Sequence, residues 1–355
     1  MSLAQVGRIG YIDGLRALAV LGVVANHAVK YAHFAPSPLT RVLLAGHHGV
    51  ELFFVISGFC LAHPTLQRLS DHGVASFDVV RYAAKRMVRI LPPYYIALVL
   101  FALLSKNVDI GHAVRQALFL DRGTNLVNPS FWTLSVEFRW YFVFPLALLL
   151  WVRSPKAFLA LICGVYMLEA TNATSLDIEL LPLFMLGIVA ADVAVRKPAW
   201  ARGTVALLPA ALLVAFVLTP ASDNGGVTGL QWDVVMFLLV VAAGSTRILR
   251  GVLSVPALTA IGVASYSIYL VNEPIAVALN TAAVSPWLIA LAGVAAGFAF
   301  WAAAERPFTD TKIRTYLVTD LSSTFRRWLP RAGIATAMML RRHAQVHEVV
   351  DADAA

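Results

Sequence analysis

The residues best suited to chemistry are ionisable side chains inside apolar stretches. Arg16 and His27 share the first of these stretches. On an α-helix, the eleven steps from 16 to 27, at about 100° each, place His27 within ~20° of Arg16 and about 16 Å further along the axis. Ionisable groups inside a bilayer are costly and are usually functional. The spacing predicts one helix face that carries a cation and, because histidine accepts protons near neutral pH, a candidate general base.

Polar side chains from three further apolar stretches are expected at a depth similar to that of His27. They are Glu51, Glu137, Tyr269, Asn272 and Glu273. One carboxylate, Glu137 or Glu51, is expected to orient the imidazole and to stabilise its protonated form. Two structural alternatives stay open. His27 is a hydrogen-bonded core residue, or Glu137 pairs with Arg139 or a backbone donor and holds the helices together.

A second group of charges precedes the third apolar stretch, where Arg81, Lys85, Arg86 and Arg89 are closely spaced. Such cations often anchor a helix end on the cytoplasmic side of a membrane. They also suit an anion site, because arginine holds phosphate oxygens through charge-assisted hydrogen bonds. Coenzyme A is a cytoplasmic, phosphate-rich acyl donor, and it fits such a site.

Composition predicts the elements that position these residues. Hydrophobic residues make up 59% of the 355 positions and charged residues 14%, against about 45–50% and 25% in soluble domains. Ten apolar segments approach the roughly 20 residues needed to cross a bilayer. They are 13–34, 48–66, 90–105, 131–152, 156–171, 178–195, 203–220, 230–247, 257–282 and 286–304. The sequence therefore predicts an all-α, polytopic membrane bundle of about ten helices.

The distribution of charge orients this predicted bundle. Twelve Lys and Arg residues lie in loops after even-numbered segments and five after odd-numbered ones, while eight more follow residue 305. Because cytoplasmic loops are rich in Lys and Arg, both termini are predicted to be cytoplasmic. The same bias explains the net charge of +8 without nucleic-acid binding. Cys60 and Cys163 both lie in apolar segments, so neither a disulfide nor a metal site is expected.

The chain is predicted to divide into a membrane domain, 1–310, and a cytoplasmic tail, 311–355. Residues 321–342 of the tail interleave apolar and basic side chains. This pattern is typical of a basic amphipathic helix that lies on an anionic membrane surface. The alternative is a solvated tail without a function.

Six short segments together resemble the acyltransferase 3 family of integral membrane O-acyltransferases. They are 13–17 leading to His27, 49–59, 86–92, 130–137, 265–270 and 305–307, in the order found in that family. The resemblance implies transfer of an acyl group from acyl-coenzyme A, acetyl-coenzyme A first among donors, to a hydroxyl of a carbohydrate or glycosylated product. A multi-pass protein of the inner or plasma membrane is expected, with no metal.

The resemblance also implies roles for individual residues. Arg16 and His27 match the family's Arg-then-His motif, Arg86 and Arg89 match its paired arginines, and Glu137 matches the carboxylate of its aromatic-rich motif. It implies catalytic roles for Arg16, His27 and Glu137, and donor binding by Arg16, Arg86 and Arg89. One position departs from the family, because many members have histidine where this chain has Asn272.

The predicted mechanism is direct transfer. His27 removes the proton of the acceptor hydroxyl, which attacks the thioester carbonyl, and Ser57, Tyr269 or Asn272 donates to the developing negative charge. Two rivals stay open: a relay in which Ser57 or His27 carries the acyl group covalently, and a transporter of an acylated or glycosylated product. A continuous, partly polar passage is expected beside the first helix, opening near Arg86 and Arg89. The sequence leaves open the acceptor, the acyl chain length and the oligomeric state.

Overall fold

The computed structural model describes residues 9–32, 37–105, 109–120, 127–170, 178, 180–218, 229–280, 284–328 and 337–341. Its helices are α1 (Gly10–Tyr31), α2 (Pro38–Leu44), α3 (Gly49–His72), α4 (Val79–Leu104), α5 (Ile110–Ala117), α6 (Phe131–Arg153), α7 (Pro155–Ala170), α8 (Leu181–Arg196), α9 (Thr204–Leu218), α10 (Leu230–Ser245), α11 (Arg247–Leu253), α12 (Pro256–Val263), α13 (Ser265–Asn280), α14 (Pro286–Phe300), α15 (Arg306–Thr309) and α16 (Thr311–Trp328). The strands are β1 (Val74–Asp78) and β2 (Ala337–Arg341). Short 3-10 turns at Ala45–His48 and Ala199–Gly203 and a π-helical turn at Trp301–Glu305 join neighbouring helices.

Six helical segments of the described chain are long and apolar enough to cross a membrane. They are Gly10–Tyr31, Pro38–His72, Val79–Leu104, Phe131–Arg153, Ala199–Leu218 and Pro286–Thr309. Two bent pairs, α10 with α11 at 100° and α12 with α13 at 70°, raise the number to eight if each pair is one span. The chain is therefore a multi-pass, helical membrane protein.

All ten predicted segments overlap a described helix or a bent pair of helices. The predicted ends at residues 34, 171, 220 and 282 lie outside the described residues. The two segments beyond the eight candidate spans correspond to α7 and α8, which have 16 residues each, fewer than the roughly 20 that a straight crossing needs. Ten spans and two cytoplasmic termini therefore stay predictions.

Close helix crossings bring the polar residues of different helices together. Helix α3 packs along α8, and a Cβ at Gly58 would lie 2.0 Å from the carbonyl oxygen of Phe184, while one at Gly187 would lie 2.2 Å from that of Val55. Glycine at this crossing lets the two backbones approach closely, as is usual between helices in a bilayer. Helix α1 contacts α3, α12, α13 and α14, so its residues face the interior of the bundle.

A pair of strands departs from the all-helical prediction. Helix α3 ends at His72 and is capped by Gly73, which has a φ of 70° that glycine adopts without strain. Strand β1 then pairs antiparallel with β2, with Val74 opposite Arg341 and Asp78 opposite Ala337. The tail was predicted as one amphipathic helix over 321–342. Instead α16 ends at Trp328 and residues 337–341 form the strand, because they find a partner far away in the chain. The boundary at 310 and the position of the tail on a membrane stay predictions.

Candidate functional site

A cavity of about 770 Å³, counted with its open mouth, lies between α1, α3, α4, α6 and α13. Six of the nine side chains predicted as site residues line it: Arg16, Ser57, Arg86, Arg89, Glu137 and Tyr269. His27, Glu51 and Asn272 lie elsewhere among the described residues. The structure thus places six of the predicted residues at this cavity, His27 and Asn272 in a second polar cluster, and Glu51 in neither of the two.

Arg16 presents its guanidinium to the cavity from α1. Its side chain is 15% exposed, with Nη1 3.6 Å from the Oδ1 of Asp13 and Nη2 3.5 Å from the Sγ of Cys60. A guanidinium has five N–H donors, so these two contacts leave capacity for a substrate carbonyl or phosphate. Arg16 faces protein and cavity rather than lipid, as its predicted role requires.

Glu137 is anchored on the cavity wall. Its Oε1 accepts a hydrogen bond of 2.6 Å from the hydroxyl of Tyr141, one turn later on α6, and another from the hydroxyl of Ser57 on α3. The carboxylate therefore links two helices. It also places an acceptor on the hydroxyl proton of Ser57, the arrangement that activates a serine nucleophile.

Arg86 and Arg89 lie one turn apart on α4 and both line the cavity. The buried Nε of Arg86 has no hydrogen-bond partner among the described residues. Arg89 lies within electrostatic range of Arg16, Arg86 and Glu305. Three guanidinium groups therefore share this space, which suits an anionic ligand.

Glu305 is a neighbour of the cavity that the sequence did not assign to the site. It is buried in the π-helical turn, and its Oε2 accepts a hydrogen bond of 2.6 Å from the hydroxyl of Ser267. Because it lies in electrostatic range of Arg89 and Arg16, it supplies part of their counter-charge. The sequence could have identified Glu305 as a site residue through the Glu305-Arg306-Pro307 motif. A carboxylate within an apolar helix is costly unless it has a partner.

The second cluster, called here the His27 group, comprises His27, Tyr31, Ser130, Asn272 and Glu273. The Nδ1 of His27 lies 2.6 Å from the Oδ1 of Asn272, and its Nε2 lies 3.8 Å from the Oε1 of Glu273. Glu273 also accepts hydrogen bonds from the hydroxyl of Tyr31, at 2.7 Å, and from the hydroxyl of Ser130. The side chains of His27 and Glu273 are 14% and 5% exposed.

The prediction that Glu137 or Glu51 orients His27 was wrong about the partners. Glu137 bonds Ser57 and Tyr141, while the carboxylate of Glu51 lies 2.9 Å from the Nδ1 of His48, with both side chains buried. The sequence predicts several carboxylates at a similar depth in the bundle. Only the packing of the helices determines which of them contacts the imidazole.

Asn272 determines which tautomer the neutral His27 ring adopts. The Nδ2 of Asn272 donates to the backbone carbonyl oxygens of Ile268, at 3.0 Å, and Tyr269, at 2.9 Å. Its Oδ1 must therefore face His27 as an acceptor, and the Nδ1 of His27 must carry the proton. In the neutral ring the unprotonated nitrogen is then Nε2, which faces Glu273 and is free to accept a proton.

Tyr269 connects the cavity with the His27 group. Its hydroxyl lies 2.6 Å from that of Thr133, which also lines the cavity, and donates to the backbone carbonyl of Ser130 at 3.1 Å. The hydroxyl of Ser130 contacts Glu273. Hydrogen-bonded side chains therefore lie between the cavity at the three arginines and His27, where a polar passage beside α1 was expected. The continuity of this passage to His27 stays a prediction.

Among the described residues, no group of three His, Cys, Asp or Glu side chains has the arrangement of a metal site. Cys60 and Cys163 are free thiols, one lining the cavity and the other exposed.

The sequence profile of a protein family described as an acyltransferase domain matches residues 9–306. The chain belongs to this acyltransferase family. The matched residues include every helix that lines the cavity, whereas α16 and β2 lie outside the match.

Two curated relatives illustrate the extent of the likeness within this family. The peptidoglycan O-acetyltransferase OatA of Listeria monocytogenes is 27% identical over 190 residues, which are 46% of this chain and 28% of that protein. The O-acetyltransferase OatA of Staphylococcus aureus is 25% identical over 320 residues, 76% of this chain and 51% of that protein. The chain therefore spans about half or less of the length of these relatives. No solved structure gives a significant match.

Proposed function

We propose that the chain is an O-acyltransferase of the plasma membrane that moves an acyl group, acetyl first, from acyl-coenzyme A to a hydroxyl of a carbohydrate or glycosylated acceptor. The observation that carries the proposal is the convergence of Arg16, Arg86, Arg89 and Glu137, from three helices, on one cavity. The family and the two O-acetyltransferase relatives support the reaction class. The name of the Listeria relative favours an envelope polysaccharide such as peptidoglycan as the acceptor.

The three arginines are suited to the phosphate-bearing end of the donor. Arg86 and Arg89 are proposed to bind its phosphates from the cytoplasmic side, where coenzyme A is found. Arg16 lies on the way toward His27 and has N–H groups beyond those that contact Asp13 and Cys60. It is proposed to hold a carbonyl of the donor's long arm, whose thioester is at the opposite end from the phosphates.

His27 is proposed to act as the general base through Nε2. This nitrogen removes the proton of the acceptor hydroxyl as the hydroxyl oxygen attacks the thioester carbonyl. The new C–O ester bond forms, the C–S bond breaks, and the proton leaves on the thiol of coenzyme A. Glu273, 3.8 Å from Nε2, stabilises the imidazolium that exists between these two proton transfers.

The oxygen of the thioester needs a hydrogen-bond donor as negative charge develops on it. Ser57, Tyr269 and Asn272 all make hydrogen bonds to protein groups, so each must exchange one of them to serve. Tyr269 is the best placed because it lies between the cavity and the His27 group and shares its hydroxyl with Thr133. We therefore assign this role to Tyr269.

A relay through Ser57 is the second mechanism that an observation favours. Ser57 lies in the cavity and donates its hydroxyl to Glu137. In this mechanism Glu137 takes the proton, Oγ attacks the thioester to form a serine ester, and coenzyme A leaves as the thiol. The oxygen of the acceptor hydroxyl then attacks the serine ester, the bond from the acyl carbon to Oγ breaks, and the acceptor's proton returns through Glu137 to the Oγ of Ser57.

The test is release of free coenzyme A by the purified protein in detergent, given acetyl-coenzyme A with and without a soluble peptidoglycan fragment. We expect release that depends on the acceptor. A transporter of an acylated product releases none, and that result would overturn the proposal. Intact-mass analysis after incubation with donor alone separates the mechanisms. An acetyl adduct on the wild type that Ser57→Ala removes indicates the relay, and unmodified protein indicates direct transfer.

A further inference from the structure

The tail helix α16 runs back along α4, antiparallel to it. Near the end of α16, Arg326 pairs with Asp78, the residue that caps the start of α4. In the middle, Val318 packs against Ala84 and Val88. After α16, strand β2 of the tail pairs with β1, the strand that comes just before α4. The tail is therefore attached to the end of α4 that carries the arginines of the cavity.

This arrangement brings Arg314 beside Arg86. Arg314 lies one turn before Val318, the residue of α16 that packs against α4, so the two side chains leave the helix on the same side. Partial burial and the charge of Arg86 lower the pKa of Arg314, whose side chain stays partly exposed to solvent, which agrees with that placement. Lys85 lies within electrostatic range of Arg68, Arg81, Arg86 and Arg314. We call these five residues the mouth cluster, because Arg86 also lines the cavity.

The mouth cluster concentrates positive charge. Lys85 has four cations, Arg68, Arg81, Arg86 and Arg314, within electrostatic range, and the buried Nε of Arg86 has no hydrogen-bond partner among the described residues. Like charges held together destabilise a fold unless a counter-ion offsets them. Phosphate provides such a counter-charge with several acceptor oxygens, and guanidinium groups recognise it well.

We propose that Arg314, Lys85 and Arg86 bind a phosphate group at the mouth of the cavity, so that α16 forms part of the ligand site. Under the proposed function, on which this part of the inference rests, the phosphate belongs to coenzyme A. The same chemistry is offered by the headgroup of an anionic lipid. In either case Arg314, which lies outside the family match, extends the site beyond the residues of the acyltransferase domain.

The experiment measures binding of coenzyme A to the full chain in zwitterionic detergent by titration calorimetry, for the wild type, Arg314→Gln and Lys312→Gln. Lys312→Gln is the matched control, since it removes one exposed charge from the same helix. A lost charge-assisted phosphate contact is expected to weaken binding about tenfold or more in Arg314→Gln, with Arg314→Lys restoring part of it and Lys312→Gln unchanged. If Arg314→Gln does not fold, Lys85→Gln takes its place.

A second arm uses the thermal stability of each variant in vesicles of phosphatidylcholine alone and of phosphatidylcholine with phosphatidylglycerol. If Arg314→Gln loses only the stabilisation by phosphatidylglycerol, the phosphate is that of a lipid. This result supports a phosphate site at the mouth cluster even if coenzyme A does not bind the wild type. Absence of coenzyme A binding to the wild type would by itself count only against the proposed function. If Arg314→Gln matches Lys312→Gln in both arms, the inference is overturned.

Discussion

The cavity and the His27 group differ in how far the protein satisfies its own polar atoms. In the cavity, three guanidinium groups lie together and the Nε of Arg86 is without a hydrogen-bond partner among the described residues. In the His27 group, the Nδ1 of His27, the amide of Asn272 and both oxygens of Glu273 have hydrogen-bond partners, and only the Nε2 of His27 is left to accept a proton. Surplus donors suit the binding of an anionic substrate, whereas a satisfied network holds one ring in one orientation and one protonation form. Variants of the cavity should therefore change substrate binding, and variants of the His27 group should change turnover.

The largest effect is expected from His27→Ala. General-base assistance contributes about 10²–10⁴ in rate, so kcat for coenzyme A release should fall by that factor while the donor's KM stays near its wild-type value. Steady-state kinetics of the purified variant checks this, with thermal unfolding as the control for a folded protein. Near-normal kcat would remove His27 from the mechanism and return it to the role of a core residue.

Arg86→Ala combined with Arg89→Ala should give the opposite pattern. Phosphate contacts remote from the chemistry bind the ground state and the transition state alike. Two lost charged hydrogen bonds, at about 1.5–3 kcal/mol each, should raise the donor's KM about a hundredfold or more, with little change in kcat. The control is the KM of the acceptor, which should not move. A loss confined to kcat would contradict the division between the two regions.

Glu273→Gln sharpens the comparison within the His27 group. The amide keeps the size of the side chain but removes the charge that stabilises the imidazolium. Close charge pairs couple by about 1.5 kcal/mol or more, so loss of the attraction between the imidazolium and the carboxylate, 3.8 Å apart, should lower kcat about tenfold or more with the donor's KM unchanged. Glu51→Gln, which alters a buried carboxylate bonded to His48 instead, is the matched control and should retain more activity.

The smallest effect is expected at Asn272. Asn272→Leu removes the acceptor that keeps the proton on the Nδ1 of His27, and an unmade hydrogen bond of about 1–3 kcal/mol should lower kcat about fivefold or more. Asn272→His, the residue that many family members have, offers a ring nitrogen as acceptor and should retain more activity than Asn272→Leu. Equal activities of the two variants would show that the ring is not held through this contact.

The sequence by itself determined the helical, membrane-spanning architecture. Apolar runs of about 20 residues have few other stable forms, because a bilayer requires every backbone polar group to be bonded within its own segment. It also determined that Arg16 and His27 share a face of α1, since helical periodicity is a local property. The motif segments indicated the family, and six of the nine predicted site residues line one cavity.

Only the tertiary structure decided which polar groups meet. Glu51, Glu137 and Glu273 were all expected at a similar depth. Glu51 pairs with His48, only three residues earlier in the chain, whereas the packing of α1, α3, α6 and α13 places Glu137 against Ser57 and Glu273 beside His27. The pairing of β1 with β2 likewise joins residues 74–78 to 337–341. Contacts between segments so far apart depend on how whole helices pack, and no local pattern in the sequence records that packing.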